Sequence, residues 1–193
     1  LSREKNFPKA LHSFVGEMKQ HYTRQTIESQ CRPDPKVSEL LRTLKEKGYR
    51  LAVASNSIRN TVETVLTKMN IRDLFDVILS NEDVARPKPA PDIYLECMKA
   101  LKALPHECMI IEDSVPGLQA ARSAVPHVMP VSSPRDVTID SILAFLSRTE
   151  KQNDFLMDTV FSKPHATNTT LEIVIPMAGL GTRFQTSGYT KPK

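Results

Sequence analysis

Three stretches at predicted strand ends carry polar side chains that could cooperate on an anion. "LAVASNS" closes on Ser55 and Asn56 just where a helical pattern begins, so a hydroxyl, an amide and free backbone N–H groups can converge on a negatively charged group. The same residues, with Ser57, could instead cap that helix. "ARPKPAPDIY" sets Lys88 between Pro87 and Pro89, whose fixed φ angles stiffen the loop and aim an ammonium. A solvated surface lysine is the plainer reading of that stretch. "MIIEDSVPG" ends a buried-looking run in Glu112 and Asp113, hard carboxylate donors of the kind Mg²⁺ prefers. Capping of the following helix by Asp113 or Ser114 is compatible with that role.

The elements that must position these residues follow from periodicity. Leu11, Phe14, Val15, Met18 and Tyr22 recur at three- and four-residue steps, which predicts a helix from about Pro8 to Gln30, broken by "RPDP". From there helix and strand alternate: "KVSELLRTLKEKG", "YRLAVAS", "IRNTVETVLTKMN", "FDVILS", "PDIYLECMKALKAL", "CMIIED", "VPGLQAARSA", "HVMPVS" and "VTIDSILAFLS". Apolar strands separated by helices predict an α/β fold, a doubly wound parallel sheet covered on both faces, with ligands beyond the carboxyl ends of the strands. Residues 150–170 lack sustained periodicity and read as a linker.

Composition narrows the function classes. The formal net charge of +4 is modest, and Lys and Arg are spread along helices without interleaved aromatics, which argues against a nucleic-acid partner. No apolar run approaches the roughly 20 residues a bilayer requires, so no membrane span is expected. The first residues have neither an apolar core nor a small-residue cleavage site, which argues against a secretory signal. Cys31, Cys97 and Cys108 are odd in number and far apart, unlike a disulfide framework, and fit a cytoplasmic protein.

Taken together, the three strand ends resemble the haloacid dehalogenase superfamily, in particular its helical-cap branch of beta-phosphoglucomutase-like and phosphoglycolate phosphatase-like enzymes. The resemblance spans about Pro8 to Ser147 and implies an Mg²⁺-dependent phosphatase or phosphomutase acting on a small phosphorylated metabolite, such as a sugar phosphate. It implies that Ser55, with Asn56, binds the phosphoryl group, that Lys88 neutralises charge on the phosphoryl and its nucleophile, and that Glu112 and Asp113 hold Mg²⁺. Ser114 and Gly117 extend the match, and residues 1–31 resemble part of a cap.

One departure changes the expectation. The family's "hhhhDxDGT" strand, which supplies an aspartate nucleophile and an aspartate acid/base, has no counterpart, and no Asp-x-Asp occurs in the sequence. Asp158 in "FLMDTVF" lacks the second Asp and the Gly. The chain is therefore expected to be inactive by itself. A gap is also expected between the strand ending at Ser55 and the strand ending at Asp113, with "LEIVIP" near the C-terminus a conceivable intruder.

"LEIVIPMAGLGTRF…GYTKPK" resembles the opening strand and glycine-rich loop of sugar-1-phosphate nucleotidyltransferases. That resemblance implies that Gly179 and Gly181 allow close backbone approach to a nucleoside triphosphate, with Thr182, Arg183 and Lys193, or alternatively Lys191, meeting phosphate. The expected organisation is a fragment of a fusion: partial cap 1–31, core 32–149 without its first strand, linker 150–170 and the start of a nucleotidyltransferase domain 171–193. Nucleotidyl transfer and a noncatalytic phosphate-binding module are the alternative functions.

Overall fold

A computed structural model describes the chain at Pro8, over residues 11–160 and over residues 172–175. α1 (His12–Gln30) leads in, and α2 (Pro35–Glu46) starts where Asp34 accepts a hydrogen bond from the Lys36 N–H and Pro35 occupies the first helical turn. Gly48 ends that helix at φ 90°, a conformation side chains disfavour. Then follow β1 (Leu51–Ala54), α3 (Arg59–Lys68), β2 (Val77–Leu79), α4 (Asp92–Leu101), β3 (Cys108–Glu112), α5 (Val115–Arg122), β4 (His127–Pro130), α6 (Ile139–Val160) and β5 (Glu172–Ile175).

All strand pairs are parallel, in the order β2-β1-β5-β3-β4. β1 and β3 are buried along their whole length, as the unbroken apolar runs require. Alternate residues feed two cores. Leu51, Val53, Met109 and Ile111 pack with Leu41 and Leu44 of α2, Val62 and Leu66 of α3, and Ile142 and Leu146 of α6. Ala52, Ala54, Cys108 and Ile110 pack with Ile93, Cys97 and Met98 of α4 and with Ala120 and Ala121 of α5. A three-layer α/β/α fold results, in which each fully buried large apolar side chain contributes roughly 1.5–3 kcal/mol.

Two features depart from the expected organisation. α6 runs on to Val160, through the first part of the stretch read as linker. Good helix formers such as Glu150, Lys151 and Gln152 occupy that stretch, and no Pro or Gly intervenes before Pro164. The second concerns the segment expected to open another domain. Its described residues, Glu172–Ile175, form the central strand of this same sheet, between β1 and β3, where a gap was expected. An apolar strand with rows of unpaired backbone groups on both sides has a strong reason to enter such a space, because buried unpaired N–H and C=O groups are costly. Gly179, Gly181, Thr182, Arg183, Lys191 and Lys193 lie outside the described residues.

Candidate active site at the carboxyl edge of the sheet

Parallel strands point their carboxyl ends the same way, so the loops after β1 and β3 share one edge. After β1, Ser55 is buried, at 2% exposure, and its N–H donates to the Leu79 carbonyl of β2. Its Oγ accepts from the Ser57 N–H at 3.1 Å. Capping does not account for this loop: the N-cap of α3 is Ile58, with no side-chain cap bond. The hydroxyl hydrogen of Ser55 thus remains as a possible donor.

Asn56 has a different task. Its Oδ1 accepts from the Lys88 N–H at 3.2 Å and its Nδ2 donates to the Lys88 carbonyl at 3.4 Å, so the amide clamps the lysine's backbone. The Lys88 side chain is 3% exposed, unlike a surface lysine. Its Nζ donates to the Ala54 carbonyl at 3.2 Å and to Glu112 Oε2 at 2.9 Å, and lies 4.6 Å from the Tyr94 ring centroid. The ammonium thereby bridges the carboxyl ends of β1 and β3.

Glu112 is wholly buried and its carboxylate is saturated. Oε2 accepts from Lys88 and from the Tyr94 hydroxyl at 2.6 Å, and Oε1 accepts from the N–H groups of Asp113 and Ser114 and from Ser114 Oγ. Burial opposes the Glu112 charge, but the Lys88 ammonium, the Tyr94 hydroxyl and the Ser114 N–H outweigh it and hold the carboxyl at about 2. Burial likewise pulls the Lys88 ammonium below the ordinary lysine value, with Glu112 pulling it back. Desolvation and the adjacent Glu112 charge push the Tyr94 phenol far above its usual range. Gly117 completes the cradle. A Cβ there would lie 2.1–2.5 Å from the Glu112 carboxylate atoms, so only glycine lets α5 close over the acid. Ser114 serves twice, accepting from the Gly117 N–H as N-cap of α5 while donating to Glu112.

Ser55, Asn56, Lys88, Glu112 and Asp113 therefore share one edge, with Lys88 and Glu112 in direct contact. Sequence reasoning missed Tyr94. The available signal was its place in the first turn of the helix that follows the lysine loop, since a buried tyrosine hydroxyl needs a partner. Among the described residues no three His, Cys, Asp or Glu side chains form a metal-binding group. With both Glu112 oxygens occupied, Asp113, half-buried at the end of β3, is the hard oxygen donor beside the lysine. One carboxylate completed by water and phosphate oxygens is a donor set that Mg²⁺ accepts, so the residues fit that ion.

The sequence profile of the family described as haloacid dehalogenase-like hydrolase matches residues 2–131. The chain belongs to that family. Among curated relatives, the bifunctional riboflavin kinase/FMN phosphatase of Arabidopsis thaliana is 41% identical over 100 residues, 51% of this chain and 26% of that protein. Hexitol phosphatase B of Escherichia coli K12 is 36% identical over 119 residues, 58% of this chain and 54% of that protein. The crystal structure of CbbY from Rhodobacter sphaeroides in complex with phosphate superposes with a TM-score of 0.55 at 29% identity, covering 65% of this chain and 58% of that one. This haloacid dehalogenase-like chain thus spans between a quarter and somewhat over half of the length of these relatives. No described helix is long and apolar enough to cross a membrane.

Proposed function

We propose that the carboxyl edge of the sheet binds the phosphoryl group of a small phosphorylated metabolite, a sugar phosphate being the favoured class, as part of an Mg²⁺-dependent phosphatase or phosphomutase. The observation that carries this reading is the Lys88 bridge. A desolvated ammonium is fixed between the Ala54 carbonyl at the end of β1 and the Glu112 carboxylate at the end of β3, on the sheet edge that also carries Ser55 and Asp113. Relatives that include phosphatases and a phosphate complex support the same chemistry.

In this reading Ser55 donates its hydroxyl to a phosphoryl oxygen. Lys88 holds one positive charge in a low-dielectric setting where it acts strongly on developing negative charge. Asn56 fixes the lysine's main chain, while Tyr94 and Ser114 hold Glu112 so that its carboxylate orients the ammonium. Asp113 would hold Mg²⁺, which when bound neutralises charge on phosphoryl oxygens. Attack on phosphorus needs a nucleophile in line, and the sequence carries no Asp-x-Asp to supply one.

The chain is therefore proposed to bind phosphate esters without turning them over, as part of a longer protein that includes a nucleotidyltransferase. Nucleotidyl transfer as the parent's main activity is a second reading, favoured by the order of Gly179, Gly181, Thr182, Arg183 and Lys193. It stands behind the first because the described part of that segment belongs to the haloacid dehalogenase-like sheet. Phosphate release from p-nitrophenyl phosphate with Mg²⁺ tests the first reading. Background-level release is expected from the full chain, and release well above background that disappears in Lys88→Ala would show that a nucleophile is present after all.

A further inference from the structure

The strand at the centre of the sheet is, among the described residues, the last of five in chain order. β5 pairs with β1 through Leu51↔Ile173, Ala52↔Val174 and Val53↔Ile175, and with β3 through Cys108↔Glu172, Met109↔Ile173 and Ile110↔Val174. β2 flanks β1 on its outer side and β4 flanks β3 on its outer side, so each half of the sheet is a strand pair that meets the other half through β5.

At the carboxyl edge the two halves meet a second time, through Lys88. Its Nζ spans from the Ala54 carbonyl on the β1 side to Glu112 on the β3 side. Neighbouring strands lie about 4.8 Å apart, so one intervening strand sets β1 and β3 roughly 10 Å apart. An ammonium that must reach both ends has little latitude in that span. Were β1 and β3 to close on each other, the space the lysine fills would be lost. Were they to part, it could keep only one partner.

We propose that docking of Glu172–Ile175 between β1 and β3 sets the spacing of Ser55 from Lys88, Glu112 and Asp113, so that strand docking and anion binding at the carboxyl edge are thermodynamically coupled. β5 is then a keystone whose seating assembles the site. The proposal rests on the phosphate-binding reading above. Coupling is reciprocal: an anion that favours the assembled site must favour the seated strand by the same factor.

Val174 is the residue to alter, since it stands in register with both Ala52 and Ile110, and proline at this position removes a backbone donor from the ladder. The full chain and its Val174→Pro variant are titrated with inorganic phosphate in the presence of Mg²⁺, while hydrogen exchange follows the β1 and β3 amides that pair with β5. A synthetic peptide of residues 171–176, LEIVIP, is then added in trans. The expected result is that Val174→Pro loses both protection and at least about tenfold in phosphate affinity, that the peptide restores both, and that phosphate tightens peptide binding by the factor it restores. Unchanged phosphate affinity in a variant whose β1 and β3 amides have lost protection overturns the coupling. Retained protection together with retained affinity also overturns it, because the two halves would then be joined without that ladder. If the unaltered chain binds no phosphate, the coupling and the phosphate-binding reading both fail; if only the coupling is wrong, the unaltered chain still binds.

Discussion

A carboxylate that accepts five hydrogen bonds while wholly buried, as Glu112 does, ties the site to the stability of the fold. Its carboxyl is held at about 2, below the ordinary 4.5, so the folded chain binds that proton less readily than the unfolded chain. The resulting stability is fully present above the unfolded value of 4.5 and is lost as pH falls through about 2. The amount is on the order of 3 kcal/mol. Urea denaturation at about pH 5.5 and about pH 3 should show a steeper acid loss for the unaltered chain than for Glu112→Gln, which has no proton to gain. Asp76, Asp83 and Asp92 are also held low and contribute to both chains alike, so the difference between the slopes is the quantity to read. Equal slopes would contradict the saturated carboxylate. Much of this was legible from residue type: Lys88 and Glu112 stand out because a lysine between prolines and an acid ending an apolar run are both unusual. Their direct pairing was not, because 24 residues separate them and only the sheet brings them together.

At the scale of elements, the alternation of apolar strands with helices was legible because the strands are short, largely apolar and bounded by turn residues, and two of the helices, α2 and α5, open on start signals, Asp34–Pro35 and Ser114. The extension of α6 to Val160 was not, because residues 150–160 lose the apolar spacing that marks a helix while keeping helix-forming side chains. Capping separates two helices that look alike in sequence. Asp34 does one thing, accepting from Lys36 N–H, so Asp34→Ala should cost about 1 kcal/mol. Ser114 caps α5 and also donates to the buried Glu112 carboxylate, and losing that second bond removes a hydrogen bond to a charged group, so Ser114→Ala should cost about 2–4 kcal/mol. Denaturant midpoints for the two variants check this, and a Ser114 loss no greater than the Asp34 loss would show that Glu112 does not depend on that hydroxyl.

For the whole molecule, the question is what joins two pairs of strands into one sheet. Without β5 the inner sides of β1 and β3 would carry unpaired backbone groups inside the core, each costing on the order of 1–3 kcal/mol, against a net stability of about 5–15 kcal/mol for an ordinary domain. The sequence indicated where such a gap would lie and offered "LEIVIP" as a conceivable intruder, but it did not give the parallel register in which Glu172–Ile175 pairs with β1 and β3. Pairing across more than 60 residues is decided by tertiary context and leaves no local pattern. The account's central claim, that this assembled edge is a phosphoryl-binding site, is tested most directly by titrating inorganic phosphate with Mg²⁺ into the full chain and following backbone amide resonances. The account predicts saturable shifts that share one dissociation constant at Ser55, Asn56, Ser57, Lys88, Asp113 and Ser114. Saturable shifts confined to other parts of the fold, or none at these six residues, would contradict it.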